Sequence, residues 1–183
     1  MYVMKNVFRL NIFGARLWMR DLAKQARGQL LALVEQAAPG QSVVIDAQGV
    51  EVFDFSFANE FFGKALLGLS REHPDRFLVV ENLNEYTREN LARALESLNL
   101  AMVERTASGA ALLGKSHPAD MQTIAAIGAQ HKPVTAAKLK DILGINLTAI
   151  NERLSKLVAL GVIRRSKGVS LAGREQYEYT LPA

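Results

Sequence analysis

The residues best suited to recognition chemistry lie close together near the C-terminus. Polar side chains and cations recur over residues 148–174. Asparagine pairs with adenine, glutamate with cytosine and arginine with guanine, and arginine and lysine also bind backbone phosphates. The residues that we expect to contact a nucleic acid are Thr148, Asn151, Glu152, Arg153, Lys156, Arg164, Arg165, Lys167 and Arg174.

A pair of helices and a hairpin are predicted to present these side chains. Thr135 is a suitable cap for a helix over 136–143 that ends at Gly144, and Asn146 is a suitable cap for a helix over 147–160 that ends at Gly161. Strands are predicted over 162–165 and 176–181, with 166–174 as their flexible connection. A further helix is predicted over 121–129. The residues expected on the packed face of the helix over 147–160 are Leu147, Ile150, Leu154, Leu157 and Val158.

The distribution of charge supports a polyanionic partner for the C-terminal part. Residues 1–116 carry 13 Lys and Arg and 13 Asp and Glu, whereas residues 117–183 carry 9 and 5. The formal net charge of +4 therefore lies wholly in the last third of the chain.

The run Leu-Val-Ala-Leu-Gly-Val-Ile-Arg-Arg at 157–165 resembles the winged-helix families of bacterial repressors, over about 60 residues. The resemblance implies a winged helix-turn-helix domain at 118–183, with a recognition helix in the DNA major groove and a basic wing on the phosphate backbone. By position the wing residues are Arg164, Arg165, Lys167 and Arg174. Winged helices also serve as protein-docking or dimerisation modules, so that alternative stays open.

The first 115 residues predict a separate α/β domain, because strand-like and helix-like stretches alternate. Strands are expected over 7–13, 42–46, 77–80 and 100–104, with a short one over 110–113. Helices are expected over 15–38, 56–69 and 87–98. The stretch 43–66, VVIDAQGVEVFDFSFANEFFGKAL, resembles the STAS-like family, relatives of the anti-sigma factor antagonists. The resemblance implies a small sheet with helices and a regulatory role through protein contacts.

Ser56 is the candidate switch residue of this first domain. In the anti-sigma factor antagonists a kinase phosphorylates a serine at the start of the matching helix, and Asp54 lies close by in sequence. Phe55 and Phe57 depart from the small residues of the antagonists. The simpler interpretation makes Ser56 the helix N-cap. Likewise, we expect Asp46 to cap the turn after its strand, and most of the phenylalanines over 53–62 to be core.

Several functional classes find no support in the sequence. Cysteine is absent, and His73, His117 and His131 lack metal-ligand spacing; His73 and His131 are expected to be exposed. We find no phosphate-binding glycine loop, and Glu60 with Asp54 makes a carboxylate pair without a pocket. We therefore expect no enzyme, no cofactor and no metal. Since residues 1–20 lack a signal-peptide pattern and no apolar run reaches about 20 residues, we expect a cytoplasmic protein.

These observations predict a transcriptional regulator in which a STAS-like domain senses a signal or protein partner and a winged helix binds operator DNA. A homodimer is expected, because one recognition helix reads few base pairs. The alternative is a regulatory adaptor that contacts only proteins, including an anti-sigma-like kinase.

Overall fold

The computed structural model describes residues 6–130 and 132–182. Its strands are β1 (Val7–Arg9), β2 (Arg16–Leu17), β3 (Ser42–Asp46), β4 (Val52–Phe53), β5 (Phe77–Glu81), β6 (Ala101–Thr106), β7 (Gly109–Gly114), β8 (Val134–Thr135), β9 (Arg164–Val169) and β10 (Glu175–Thr180). Its α-helices are α1 (Arg20–Gln36), α2 (Phe55–Ala58), α3 (Lys64–Glu72), α4 (Glu85–Ser97), α5 (Pro118–Gly128), α6 (Ala136–Leu143) and α7 (Leu147–Ala159).

The protein has a mixed α/β fold built on a mostly parallel sheet. The strand order is β1-β3-β5-β6-β7, in which the first four strands run parallel and β7 returns antiparallel to β6. Helices connect the parallel strands β3, β5 and β6, as parallel pairing requires. The short strand predicted over 110–113 is confirmed as β7.

Side-chain alternation along the strands divides the core into two clusters. Val43, Ile45, Leu78 and Val80 belong to a cluster with α1, α3 and α4. On the opposite face of the sheet, the neighbouring positions belong to a cluster with α5, α6 and α7; these strand residues are Val79, Ala101, Val103 and Leu112. Because successive strand residues point to opposite faces, the sheet is buried on both sides. The C-terminal helices thus share a core with the sheet.

Residues 7–20 differ from the prediction. β1 ends at Arg9, and Leu10–Phe13 forms a 3₁₀ turn in place of the predicted strand over 7–13. The helix predicted over 15–38 begins only at Arg20, because Arg16–Leu17 pairs with β4 as a strand. An amphipathic pattern over 15–38 does not reveal this pairing, since the partner strand lies about 35 residues later.

The helix predicted over 56–69 extends from Phe55 to Glu72 and contains a π-helical turn at Asn59–Gly63. A Cβ atom at Gly63 would collide with the side chain of Leu98 at the end of α4. The glycine therefore permits the close approach of α4 to this helical run.

The C-terminal segment follows the predicted order of helices. β8 and the β9–β10 pair form a small antiparallel sheet in the order β8-β10-β9. The connection predicted over 166–174 is confirmed for the turn over 170–174 and is wrong for 166–169, where β9 continues to Val169. Extensive register pairing in a hairpin outweighs the weak strand propensity of Ser166, Lys167 and Gly168.

The structure tests one of the two histidines that were expected to be exposed. His73 is half-buried, with its Nδ1 3.0 Å from Nη1 of Arg76, so its predicted exposure is wrong. The expectation for His131, and the first five residues of the stretch judged for a leader, lie outside the described residues.

Candidate nucleic-acid interface

Local capping fixes the two helices that carry the candidate recognition surface. Oγ1 of Thr135 accepts from the backbone N–H of Lys138 at 3.2 Å, and Gly144 closes α6 in the left-handed conformation with φ of 65°. Oδ1 of Asn146 accepts from the backbone N–H of Ala149 at 2.8 Å and so begins α7. The predicted caps and the glycine stop are confirmed.

α7 has one packed face and one exposed polar face. Ile150, Leu154 and Leu157 are fully buried, as predicted, whereas Leu147 is 46% exposed and does not belong to the packed face. Leu147 is the first residue of the helix and lies beyond the reach of the core. The exposed polar side chains, which we term the α7 front, are Thr148, Asn151, Glu152 and Ser155.

Two cations of α7, Arg153 and Lys156, are less available to a ligand than the side chains of the α7 front. Arg153 is half-buried. Lys156 places Nζ 2.5 Å from Oδ2 of Asp120, a residue only 3% exposed. The same oxygen accepts from the backbone N–H of His117 at 3.1 Å in a capping box of α5. The charge of Lys156 therefore compensates a buried carboxylate and ties α7 to the start of α5.

β9, the turn over 170–174 and β10 form a hairpin that we term the wing. Its turn is tight, because the N–H of Ser170 donates to the carbonyl of Arg174 and the N–H of Gly173 donates to the carbonyl of Ser170, both at 2.9 Å. Oγ of Ser170 also accepts from the N–H of Arg174 at 3.1 Å. The turn holds Leu171 at the tip with its side chain fully exposed.

The wing combines exposed cations with an exposed aromatic ring. The guanidinium carbon of Arg165 lies 4.7 Å from the ring centroid of Tyr177, which is 50% exposed. Lys167 is the register partner of Tyr177, and Arg174 is exposed in the turn. Sequence reasoning missed Tyr177 and Leu171. Tyr177 and Tyr179 are two residues apart on β10 and so lie on the same face of the wing. Tyr179 is buried and burial raises the pKa of its phenol, so alternation alone does not indicate that Tyr177 is exposed.

Arg164 differs from these cations because it lies against the central sheet. Its guanidinium carbon lies 5.3 Å from the ring centroid of Phe77, at the start of β5 in the central sheet. Alternation along β9 separates it from Arg165 and Lys167, which share the other face of the wing.

Asp54, not Ser56, caps the helix of the candidate switch. Oδ1 of Asp54 accepts from the N–H of Phe57 at 2.7 Å, so the interpretation of Ser56 as the cap is wrong. A carboxylate accepts this hydrogen bond more strongly than a hydroxyl. Ser56 lies half-buried in the first turn, beside the exposed ring of Phe55. Asp46 does cap its turn, since Oδ1 accepts from the N–H of Gln48 at 2.9 Å.

Glu60 is a structural carboxylate. It is 2% exposed and accepts from Nη1 of Arg27 and contacts Nζ of Lys64, both at 2.7 Å. Burial raises its pKa, but the hydrogen bond from Lys64 and the charge of Arg27 outweigh burial, and the pKa is lowered from its usual 4.5. Asp54 is engaged in its own cap, so the structure does not support a paired carboxylate site.

The described residues contain no group of three or more His, Asp or Glu side chains able to hold a metal ion. No helix in 6–130 and 132–182 is long and apolar enough to cross a membrane. The sequence matches no protein-family model, and no curated protein matches it. The support for the candidate interface therefore comes from its own geometry and charge.

Proposed function

We propose that the protein is a DNA-binding transcriptional regulator. Residues 1–115 form a STAS-like regulatory domain, and residues 118–183 form a winged helix-turn-helix domain. The observation that carries the proposal is the joint exposure of the α7 front and the wing cations Arg165, Lys167 and Arg174. The order of α5, β8, α6, α7, β9 and β10 supports a winged helix, in which α7 enters the major groove.

The polar side chains of the α7 front suit base edges, and the wing suits phosphates. Asn151 and Glu152 lie within the first two turns of α7, where a recognition helix meets the bases. Leu171 and Tyr177 add exposed apolar surface beside the wing cations. A homodimer would place two such units on paired half-sites.

Fluorescence anisotropy with labelled duplex DNA tests this proposal. The double variant Arg165→Gln with Arg174→Gln should lose at least about tenfold in affinity at physiological salt, because two phosphate contacts are lost. Arg93→Gln is the matched control, since Arg93 is an exposed arginine on α4. Affinity equal in all three proteins, or no binding by the unmodified protein, would contradict the proposal.

An exposed apolar patch supports a protein partner as a second element of the function. Trp18, Met19 and Phe55 follow the paired ends of β2 and β4 and are all exposed. Ser56 lies next to this patch, so a phosphate there would alter the docking surface. We propose that an anti-sigma-like kinase or another regulatory protein docks here. Incubation with such a kinase and ATP, followed by mass mapping, should find phosphate on Ser56; modification elsewhere with Ser56 intact would reject the kinase.

A further inference from the structure

A crevice separates the root of the wing from the central sheet. It encloses about 320 Å³, and we term it the junction crevice. One wall comes from Gly40, Pro74, Asp75 and Phe77, and the other comes from Val158, Ile163 and the start of β9. Its charged lining residues are Asp75, Arg164 and Arg165. The volume exceeds the roughly 30 Å³ of one water molecule about tenfold, which leaves room for a small ligand.

Arg164 lines this crevice and has an N–H donor that makes no hydrogen bond to residues 6–130 or 132–182. Its Nε is buried and has no hydrogen-bond partner among the described residues. The ring of Phe77 attracts the face of the guanidinium but offers no acceptor to the N–H groups in its plane. An unsatisfied buried donor is unfavourable, and the deficit is larger for a charged group. Because this Nε is closed to solvent, an acceptor in the crevice would meet the guanidinium at its Nη groups and would compensate the charge there.

The other charged residues of the crevice indicate which kind of hydrogen-bond acceptor it would bind. The two lining arginines, Arg164 and Arg165, outnumber the one lining carboxylate, Asp75, which is also 3.3 Å from Nη1 of Arg76. The field therefore favours an anion. Asp75 is an acceptor at the same site, and it would repel an anion unless that anion carries a proton to donate.

We propose that the junction crevice binds a protonated phosphate group, as inorganic phosphate or a phosphate monoester. Arg164 donates to its oxygens, and the P–O–H group donates to Asp75. Sulfate and the phosphodiesters of DNA are fully ionised at neutral pH and carry no such proton. The crevice therefore selects a free phosphate or monoester over both. This inference does not depend on DNA binding by the wing.

Isothermal titration calorimetry with sodium phosphate and with sodium sulfate, at matched ionic strength, tests the proposal on the full chain. The unmodified protein should bind phosphate at least about tenfold more tightly than sulfate. Arg164→Gln should weaken phosphate binding by about tenfold or more. Arg93→Gln is the matched control and should leave it unchanged, because Arg93 is an exposed arginine on α4, away from the crevice and the wing.

Asp75→Asn supplies a second variant on an exposed loop, so it tests the site even if Arg164→Gln impairs folding. The amide can donate as well as accept, so the preference for phosphate over sulfate should fall to near one. In parallel, the Nε–H NMR signal of Arg164 should shift on phosphate addition in the unmodified protein.

Three outcomes would overturn the proposal. They are equal affinity for phosphate and sulfate in the unmodified protein, an unchanged phosphate preference in Asp75→Asn, and equal losses in Arg164→Gln and Arg93→Gln. Displacement of phosphate by duplex DNA with the loss confined to Arg164→Gln would instead assign the crevice to a DNA phosphodiester.

Discussion

Neutralisation of the wing should change the salt dependence of DNA binding by a calculable amount. Arg165, Lys167 and Arg174 are exposed and available to phosphates. Lys167 has Nζ 3.9 Å from Glu175, but both side chains are more than two-thirds exposed, and such surface pairs contribute little. Arg164 is excluded from this set because it lies over Phe77. Under the proposed function, the wing of each protomer would therefore offer three cations to the DNA backbone.

Each phosphate contact contributes about −0.9 to the slope of log affinity against log salt concentration. Three contacts give a slope of roughly −2.7 per protomer and about −5.4 for a dimer on paired half-sites. Arg174→Gln removes one contact per protomer, so the dimer slope should become about 1.8 less steep. Arg164→Gln should leave the slope unchanged.

Fluorescence anisotropy titrations of a labelled duplex at five salt concentrations measure these slopes directly. Arg93→Gln controls for a general change in net charge, because it removes one cation from α4 and none from the wing. A slope in Arg174→Gln equal to that of the unmodified protein would refute the assignment of the wing. An equal reduction in Arg93→Gln would show that net charge, and not the wing, sets the salt dependence.

Three further predictions address the recognition helix, the core and the buried carboxylate. Asn151→Ala should relax base preference at one position by about 1–3 kcal/mol without a change in salt slope, which binding-site selection and titration would reveal. Val103→Ala should lower the free energy of unfolding by about 2 kcal/mol, because Val103 shares a core with Ile124. Trp18 fluorescence and circular dichroism should report the same single denaturant transition. Two separate transitions would contradict the shared core. Glu60→Gln should cost about 2–3 kcal/mol at neutral pH, below the value for a fully buried pair because Lys64 is half exposed. Since the pKa of Glu60 is lowered in the folded state, its stabilisation is present above its usual pKa of 4.5 and is lost as pH falls through the folded value, so urea titrations of both proteins should converge in acid.

Regular elements with local signals were predictable from the sequence. β3 and α6 coincide with their predicted ranges, because apolar runs, caps and glycine stops are all encoded within a few residues. β2 was not predictable, since its two residues are extended only because β4 pairs with them from about 35 residues away. Leu17 is apolar and fits the helical pattern as well as it fits the strand.

In the candidate site too, some features have local sequence signals and others depend on residues distant in sequence. The exposure of Asn151 and Glu152 follows from helical periodicity, which the sequence contains. The roles of Lys156 and Arg164 depend on residues distant in sequence, Asp120 and Phe77, and no local pattern indicates these contacts. A cluster of cations in sequence therefore overestimates the number that are free to meet a polyanion.

The placement of Arg164 links the two candidate sites of this molecule through one strand. β9 begins at Arg164, against the first residue of β5, and its next residues carry the wing cations Arg165 and Lys167. A ligand in the junction crevice would bind Arg164 and contact Arg165 at the point where the strand leaves the core. Because β9 pairs with β10 over six register partners, a shift at its root would move the wing as a unit. Occupancy of the crevice would then change DNA affinity with no contact between the ligand and the DNA. This requires that the ligand have different affinities for the protein with the wing shifted and with the wing unshifted.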